Sequence, residues 1–322
     1  MTTAVGRSGG HAVGSAFVEP ALWSLVGNTP LVPVQLDRPT ARPPVRLKCE
    51  WTNPGGSVKD RAALFILRDG VARGELPGKR LLDASSGNTA IAYAMLGAAA
   101  GIGVTVCVPA NASAERKVLL EAYGAEVIFT DPLEGSDGAI REARRLAAQR
   151  ADRFWYADQY GHPANARAHY ATTAAEIWRE GGHRVTHFVA GLGTTGTMMG
   201  AGRRLKELNP AIELVAVQPE GPFHGLEGLK HLESALPPGL YDPTLPDRHE
   251  FVGTEEAEKM VRRLARQAGL LVGWSTGAAL VAAARVLAAS PPDRAPNIVV
   301  IAPDSGHRYL SETGRFRGRG TA

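Results

Sequence analysis

Cysteine is nearly absent: 322 residues contain only Cys49 and Cys107, each inside an apolar run ("VRLKCEW", "GVTVCVPA"). Two thiols with no C-x-x-C pair, and nine scattered histidines, suggest neither a disulfide framework nor a metal site. Two buried free thiols in a reducing compartment are expected instead. Long apolar runs are also missing. Nothing approaches the roughly 20 residues of a membrane helix, and "MTTAVGRSGGHAVGSAF" lacks the apolar centre of a signal peptide, so a cytoplasmic protein with no membrane partner is expected. There is little excess of either charge. The formal +4 is spread along the chain, and pairs such as Arg144-Arg145 and Arg262-Arg263 have acidic neighbours in helical patterns. That distribution suggests solvated faces and no nucleic-acid surface.

What is present suits a globular protein with a substantial core: 44% hydrophobic and 21% charged residues, enough for two packed domains or one large α/β unit. Short apolar runs without polar alternation ("RLLDAS", "GVTVCVPA", "AEVIFTD", "THFVAG", "IELVAVQPE", "NIVVIAP") alternate with helical patterns nearly throughout. This predicts an α/β fold with mostly parallel, twisted sheets flanked by helices. No internal repeat or low-complexity linker interrupts it. The turn-rich stretch "WYADQYGHPANARAHY" near residues 155–170 is the best place for the chain to cross between domains. Ligands of such folds sit beyond the carboxyl ends of the strands, so the strand-to-helix loops are where chemistry is sought.

Three loops stand out. In "NPGGSVKDRAALFILRDG", residues 53–70, Ser57 reads as an N-cap with Asp60 near capping-box spacing, and Gly70 reads as the residue just past the helix end. Lys59 then lies in the first turn, where the helix dipole disfavours a cation. A solvated charge is the bland reading of such a lysine. "SSGNTA", residues 85–90, offers hydroxyls, an amide and free helix N–H groups suited to a carboxylate, though alone it is often only a cap and turn. "GLGTTGT", residues 191–197, lets backbone amides converge on an anion while three threonines add hydroxyls.

The third loop also spells G-x-G-x-x-G from Gly191 to Gly196, and Glu220 ends the next strand where a ribose-binding acid could stand, so a nicotinamide oxidoreductase is a rival reading. That pattern explains neither Lys59 nor the hydroxyl-rich cup. Pyridoxal phosphate explains both, since its aldehyde needs an amine of lowered pKa and its phosphate needs the cup.

At this point the chain resembles the cysteine synthases (O-acetylserine and O-phosphoserine sulfhydrylases) among the fold-type II pyridoxal phosphate enzymes. The likeness runs through "LVGNTPLV", "NPGGSVKDR", "SSGNT", "QYGHPAN", "GLGTTGT", "VGWSTGAAL" and "PDSGHRYLS" in family order. It implies a tryptophan synthase β-like architecture: a flexible tail at 1–20, a large cofactor-binding domain of 21–55 plus 165–322, and a small mobile substrate domain of 56–164. It further implies that Lys59 forms the internal aldimine and acts as the catalytic base. Asn88 would meet the ring oxygen, Gly193, Thr194, Thr195, Gly196 and Thr197 would hold the phosphate, and Ser275 would face the pyridine nitrogen. A hydroxyl there makes a weaker electron sink than an aspartate would. Ser85, Ser86, Gly87, Asn88, Thr89 and Gln159 would grip the substrate carboxylate, with no metal involved.

The implied reaction is β-replacement on an O-activated L-serine through an aminoacrylate, a sulfur nucleophile giving L-cysteine, in a homodimer. Cystathionine β-synthase and serine/threonine dehydratase chemistry would use the same cofactor residues. The chain departs from the commoner pattern at Ala90, at Trp274, which is expected to narrow the pocket, and at His307. The segment "PFHGLEGLKHLESALPPGLYDP" resembles the family's mobile loop but carries Lys230 and His231, and Lys230 is a candidate for recognising a phosphoserine-type leaving group. By themselves, Ser275 reads as the N-cap of the Ala-rich helix after it, Cys107 as core, and His162, His169, His224 and His231 as surface or loop residues.

Overall fold

Apolar runs without an exposed position become interior strands: Val104–Pro109 and Ile298–Ala302 are buried at every residue, as strands covered on both faces must be. A computed structural model describes residues 17–36, 43–85, 87–291 and 295–317. Its strands are Leu31–Val34 (β1), Val45–Cys49 (β2), Arg80–Ala84 (β3), Val104–Pro109 (β4), Glu126–Thr130 (β5), Phe154–Tyr156 (β6), His187–Gly191 (β7), Glu213–Pro219 (β8), Arg248–Val252 (β9) and Ile298–Ala302 (β10). They form two sheets. One is six-stranded in the order β1-β2-β10-β7-β8-β9, parallel except for β1 against β2. The other is four-stranded in the order β5-β4-β3-β6 and wholly parallel. The expected α/β architecture of mostly parallel sheets is therefore present.

The pleat sends alternate residues of each strand into different cores. In the larger sheet Val189, Val215 and Val300 join one apolar cluster while Phe188, Leu214 and Val299 join that on the opposite face. In the smaller sheet Leu81 and Val106 face one way, and Leu82 and Cys107 the other. The helix Trp274–Ala289 is buried on nearly every side and so has no polar face. Helix Thr254–Ala268 covers it with Ala257, Val261 and Leu264. A Cβ on Gly277 would lie 2.5 Å from the Ala257 carbonyl, so glycine sets how closely these helices approach.

Some local expectations are corrected. Gly70 does not end its helix: Lys59–Ala72 runs through it, and the turn is made by Gly74 at φ +70°. Gly70 is there because the Trp155 ring presses on it, 2.8 Å from where a Cβ would stand. The capping box does not form either. Ser57 Oγ accepts from Lys59 N at 3.3 Å, while the Asp60 carboxylate turns back to accept from Gly55 N at 2.5 Å. Strands β6 and β9 were not legible as strands, the first because it is three residues long and opens the turn-rich stretch. The second lies at a sheet edge, where charged residues are tolerated.

Cys49 and Cys107 are free and buried, and burial pushes both thiols up to about 12. Residues 1–16 of the expected tail, and 318–322, lie outside the described residues. At 17–20 the chain is tied down, Phe17 lying 5.5 Å from the Trp23 ring and Glu19 pairing with Arg68. Among the described residues no helix is long and apolar enough to cross a membrane.

Replacing Gly70 by alanine should destabilise the fold. Overpacking against Trp155 costs about 1–3 kcal/mol, more than the roughly 0.5–1 kcal/mol that alanine gains over glycine within a helix. Thermal unfolding should show a lower Tm for Gly70→Ala.

Candidate active site

The loops that end β3, β7 and β10 converge on the start of helix Lys59–Ala72, where the two sheets meet. An inner pocket is lined by Lys59, Asn88, Gly193, Thr194, Thr195, Thr197, Ser275 and Asp304. It shares Lys59, Asn88, Gly193 and Thr194 with a cleft of about 940 Å³ whose walls include Ser85, Gly87, Thr89, Gln159 and Lys230. Residues separated by more than 200 positions thus share one cavity. Ser86 lies outside the described residues. Gly196 stands behind the loop, where a Cβ would meet Asn165 Oδ1 at 2.0 Å.

Lys59 is not a surface charge. Burial lowers its affinity for a proton, and the Asp304 carboxylate opposes that. Its loop is clamped from the carboxyl end of β10: Val58 N donates to Pro303 O at 2.8 Å, and Arg308 donates to Gly55 O beside Gly56, whose φ is +78°. Two residues on, Arg61 anchors the same helix. It is 1% exposed and pairs with Glu50 and Glu176, each at 2.7 Å. Lys48 holds Glu176 and Glu180 from the other side, both at 2.9 Å. Burial alone would raise the Glu176 carboxyl, but Arg61 and Lys48 pull it down to about 2.

The cup of β7 carries visible strain. Thr195 sits at φ +66°, unusual for a β-branched residue and costing on the order of 1–3 kcal/mol. Its Oγ1 is buried with no hydrogen-bond partner among the described residues. A Cβ on Gly193 would lie 2.3 Å from Gly228 O, so only glycine fits between the two loops. Asn165 Nδ2 donates to Thr194 Oγ1 (3.0 Å) and to Gln159 O (2.7 Å). His169, expected at the surface, is 2% exposed. It touches Thr197 Oγ1 at 3.3 Å and Thr173 Oγ1 at 2.9 Å. Burial, then the Arg61 and Lys59 charges, hold it well below its usual range and neutral. An orphaned hydroxyl, a glycine cradle and a buried amine fit a phosphate-bearing aldehyde; Glu220 is exposed and lines neither cavity, which leaves the nicotinamide reading without its acid.

On the cleft side, Thr89 Oγ1 donates to Gln159 Oε1 (2.6 Å) and Gln159 Nε2 to Ala84 O (2.7 Å). The Ser85 hydroxyl accepts from Gly87 N (3.2 Å) and Ala90 N (3.3 Å), closing the start of helix Asn88–Ala100. Behind them Asp83, fully buried, accepts from Gln159 N at 3.1 Å. Burial pushes its carboxyl up to about 7. Lys230 lies 5.0 Å from the Tyr160 ring centroid and pairs with Asp137 at 2.8 Å, so the 221–240 segment bridges the cleft. Arg116 pairs with Glu227 of the same segment.

Ser275 is not an N-cap, since Gly273 holds that position and Ser275 lies in the first turn with its side chain at the pocket. Trp274 does not narrow the pocket. Its ring stacks on Phe316 at 4.4 Å, and Nε1 donates to Glu312 at 3.1 Å. Asp83, Arg116, Asn165, His169 and Asp304 are the residues of the site that sequence reasoning missed. Asn165 and Asp304 stood inside quoted motifs, and Asp83 and His169 inside quoted stretches that were read as strand and loop.

The family model for pyridoxal-phosphate dependent enzymes matches residues 22–304. Cysteine synthase of Aquifex aeolicus is 50% identical over 294 residues, 89% of each chain. Cysteine synthase B of Pseudomonas aeruginosa is 42% identical over 91% of this chain and 96% of its own. Among solved structures, O-acetyl serine sulfhydrylase isoform 3 of Entamoeba histolytica superposes with a TM-score of 0.86 at 30% identity, over 100% of this chain and 96% of its own.

Asp83 gives the site a pH signature. Its carboxyl is raised from 3.8 to about 7, so the folded chain binds that proton more tightly than the unfolded one. The resulting stabilisation is complete below about pH 4 and is lost as pH rises towards about 7. Asp60, also raised to about 7 by burial, acts in the same direction. Urea unfolding across this range should show a shallower loss of stability with rising pH in Asp83→Asn than in the wild type.

Proposed function

Because the chain belongs to the pyridoxal-phosphate dependent enzymes and, within them, to the cysteine synthases, we propose that it makes L-cysteine by β-replacement on an O-activated L-serine. O-acetylserine or O-phosphoserine would lose its β-substituent and accept a sulfur nucleophile. The observation that carries this reading is a buried lysine amine and an unpartnered threonine hydroxyl in one pocket, which shares lining residues with a cleft that has the Thr89–Gln159 pair in its wall.

Pyridoxal phosphate, when bound, supplies the electron sink that makes the substrate α-proton removable. Lys59 would hold the aldehyde carbon at rest, then take that proton on Nζ and return it. Its burial supports both roles, since each needs a neutral amine. Gly193, Thr194, Thr195 and Thr197 would hold the phosphate, with Gly196 allowing Asn165 to brace the loop. Ser275 would face the pyridine nitrogen and Asn88 the ring oxygen. Ser85, Gly87, Thr89 and Gln159 would receive the substrate carboxylate. The partition of strands between two sheets supports a large unit (21–55 plus 165–322) and a small unit (56–164) closing on each other. Two buried free thiols support a cytoplasmic location, and the likeness to the cysteine synthases supports a homodimer.

Borohydride treatment after incubation with pyridoxal phosphate should trap an adduct on the 53–61 peptide, and Lys59→Ala should lose about 10²–10⁴-fold in turnover from its acid–base role alone. Protein that traps no adduct there would overturn the reading.

Lys230 would recognise the leaving group. Releasing it from Asp137 would place a cation in the cleft wall near an O-phospho substituent. Lys230→Ala should lower kcat/KM for O-phosphoserine by roughly 10–100-fold, as expected for a hydrogen bond to a charged group, and leave O-acetylserine within about threefold. A strong preference for O-acetylserine that this change does not alter would dispose of the role.

A further inference from the structure

Beyond β10, residues 303–305 run between the loop carrying Lys59 and the loop carrying Ser275. Ser57 and Asp304 face each other in an antiparallel bridge, and Gly273 N donates to Asp304 O at 3.1 Å. The backbone therefore fixes Asp304, 1% exposed, in the wall of the inner pocket. Its Oδ2 accepts from Asn88 Nδ2 at 2.6 Å and from the Tyr309 hydroxyl at 2.5 Å. Its Oδ1 is buried with no hydrogen-bond partner among the described residues. An unpaired oxygen on a buried carboxylate is costly and calls for a charge to face.

The other ionisable groups around the pocket have partners of their own, and the Arg116 charge also acts on Asp304. Arg308 donates to Gly55 O, Arg116 pairs with Glu227, and Asp60 accepts from Gly55 N. His169, which faces Lys59 from the segment His169–Thr173, is neutral. Lys59 remains.

We propose that Asp304 is a positioning residue for Lys59 and Asn88: its carboxylate acts as a counter-ion within the pocket wall it shares with Lys59, and its bonded oxygen presets the Asn88 amide towards the pocket. This rests on reading Lys59 as the cofactor lysine. Burial drives Lys59 towards the neutral form and the Asp304 charge opposes it, so the carboxylate decides how readily Nζ gives up its proton. The proton that Lys59 would take from a substrate is then held as an ammonium in the pocket that carries the Asp304 charge until it is returned. Asn88 belongs to the helix that starts after β3 and Asp304 to the end of β10, so the same carboxylate also ties the two sheets across the pocket.

The test is the pH dependence of adduct formation between pyridoxal phosphate and the protein, trapped with borohydride and read on the 53–61 peptide. The ionisations of free pyridoxal phosphate are common to wild type and variants, so a difference between them belongs to the chain. In Asp304→Asn the midpoint should fall by about one pH unit or more, as expected on removing an opposite charge close by. Just below the wild-type midpoint the variant should form adduct up to about tenfold faster. A purely structural role would slow adduct formation at every pH. Asp304→Ser, which also accepts from Asn88, serves if the amide variant does not fold, and Asp304→Glu should hold the midpoint within about half a unit. Adduct in wild type and variant with the same midpoint overturns the Asp304 proposal alone. No adduct in the wild type overturns the reading of Lys59 and this proposal with it.

Discussion

A lysine amine buried at the start of a helix is disfavoured twice, by desolvation and by the positive end of the helix dipole. Everything around Lys59 makes that position tenable and usable. The 303–305 segment clamps its loop by backbone hydrogen bonding, a carboxylate from the same segment shares its pocket, and two glycines before it let Arg308 and Asp60 close over the backbone. The helix it begins is held by Arg61, whose guanidinium satisfies Glu50 and Glu176 in a site almost free of water. Breaking such a network by removing one partner costs about 3–5 kcal/mol because it leaves a buried charge uncompensated. The network therefore acts as an anchor: it fixes the helix, and the helix fixes the amine.

The second concentration of cost is at the phosphate loop. Thr195 is held in a left-handed conformation with its hydroxyl unpartnered, and Gly193 is squeezed against the Gly228 backbone. Such features persist only where surrounding structure over-determines them. Here Asn165 does so from one side and neutral His169 from the other. A phosphate group would satisfy the orphaned hydroxyl, so binding energy and backbone strain meet in the same residues.

The cleft is built on a different principle. Lys230–Asp137 and Arg116–Glu227 bridge it with ion pairs whose cations are largely buried and whose carboxylates stay partly exposed. An inner pocket fixed by backbone contacts and a mouth spanned by side-chain ion pairs suit a reaction in which the cofactor stays and two substrates come and go.

The alternation of unbroken apolar runs with helical patterns was enough to determine parallel sheets covered by helices, and the three loops after strands were legible because their residue types suit only a few ligands. What the residues could not show locally was decided by contacts distant in sequence. Gly70 looks like a helix end until Trp155 is placed on it, His169 looks like a loop residue until helix packing buries it, and Trp274 looks like a pocket residue until Phe316 stacks on it. Asp304 sits 245 positions from Lys59 in the chain and beside it in space. Local pattern sets which elements form, because backbone hydrogen bonding and burial periodicity are local. Which carboxylate faces which amine depends on desolvation in a shared cavity, and that cavity exists only once both sheets are packed.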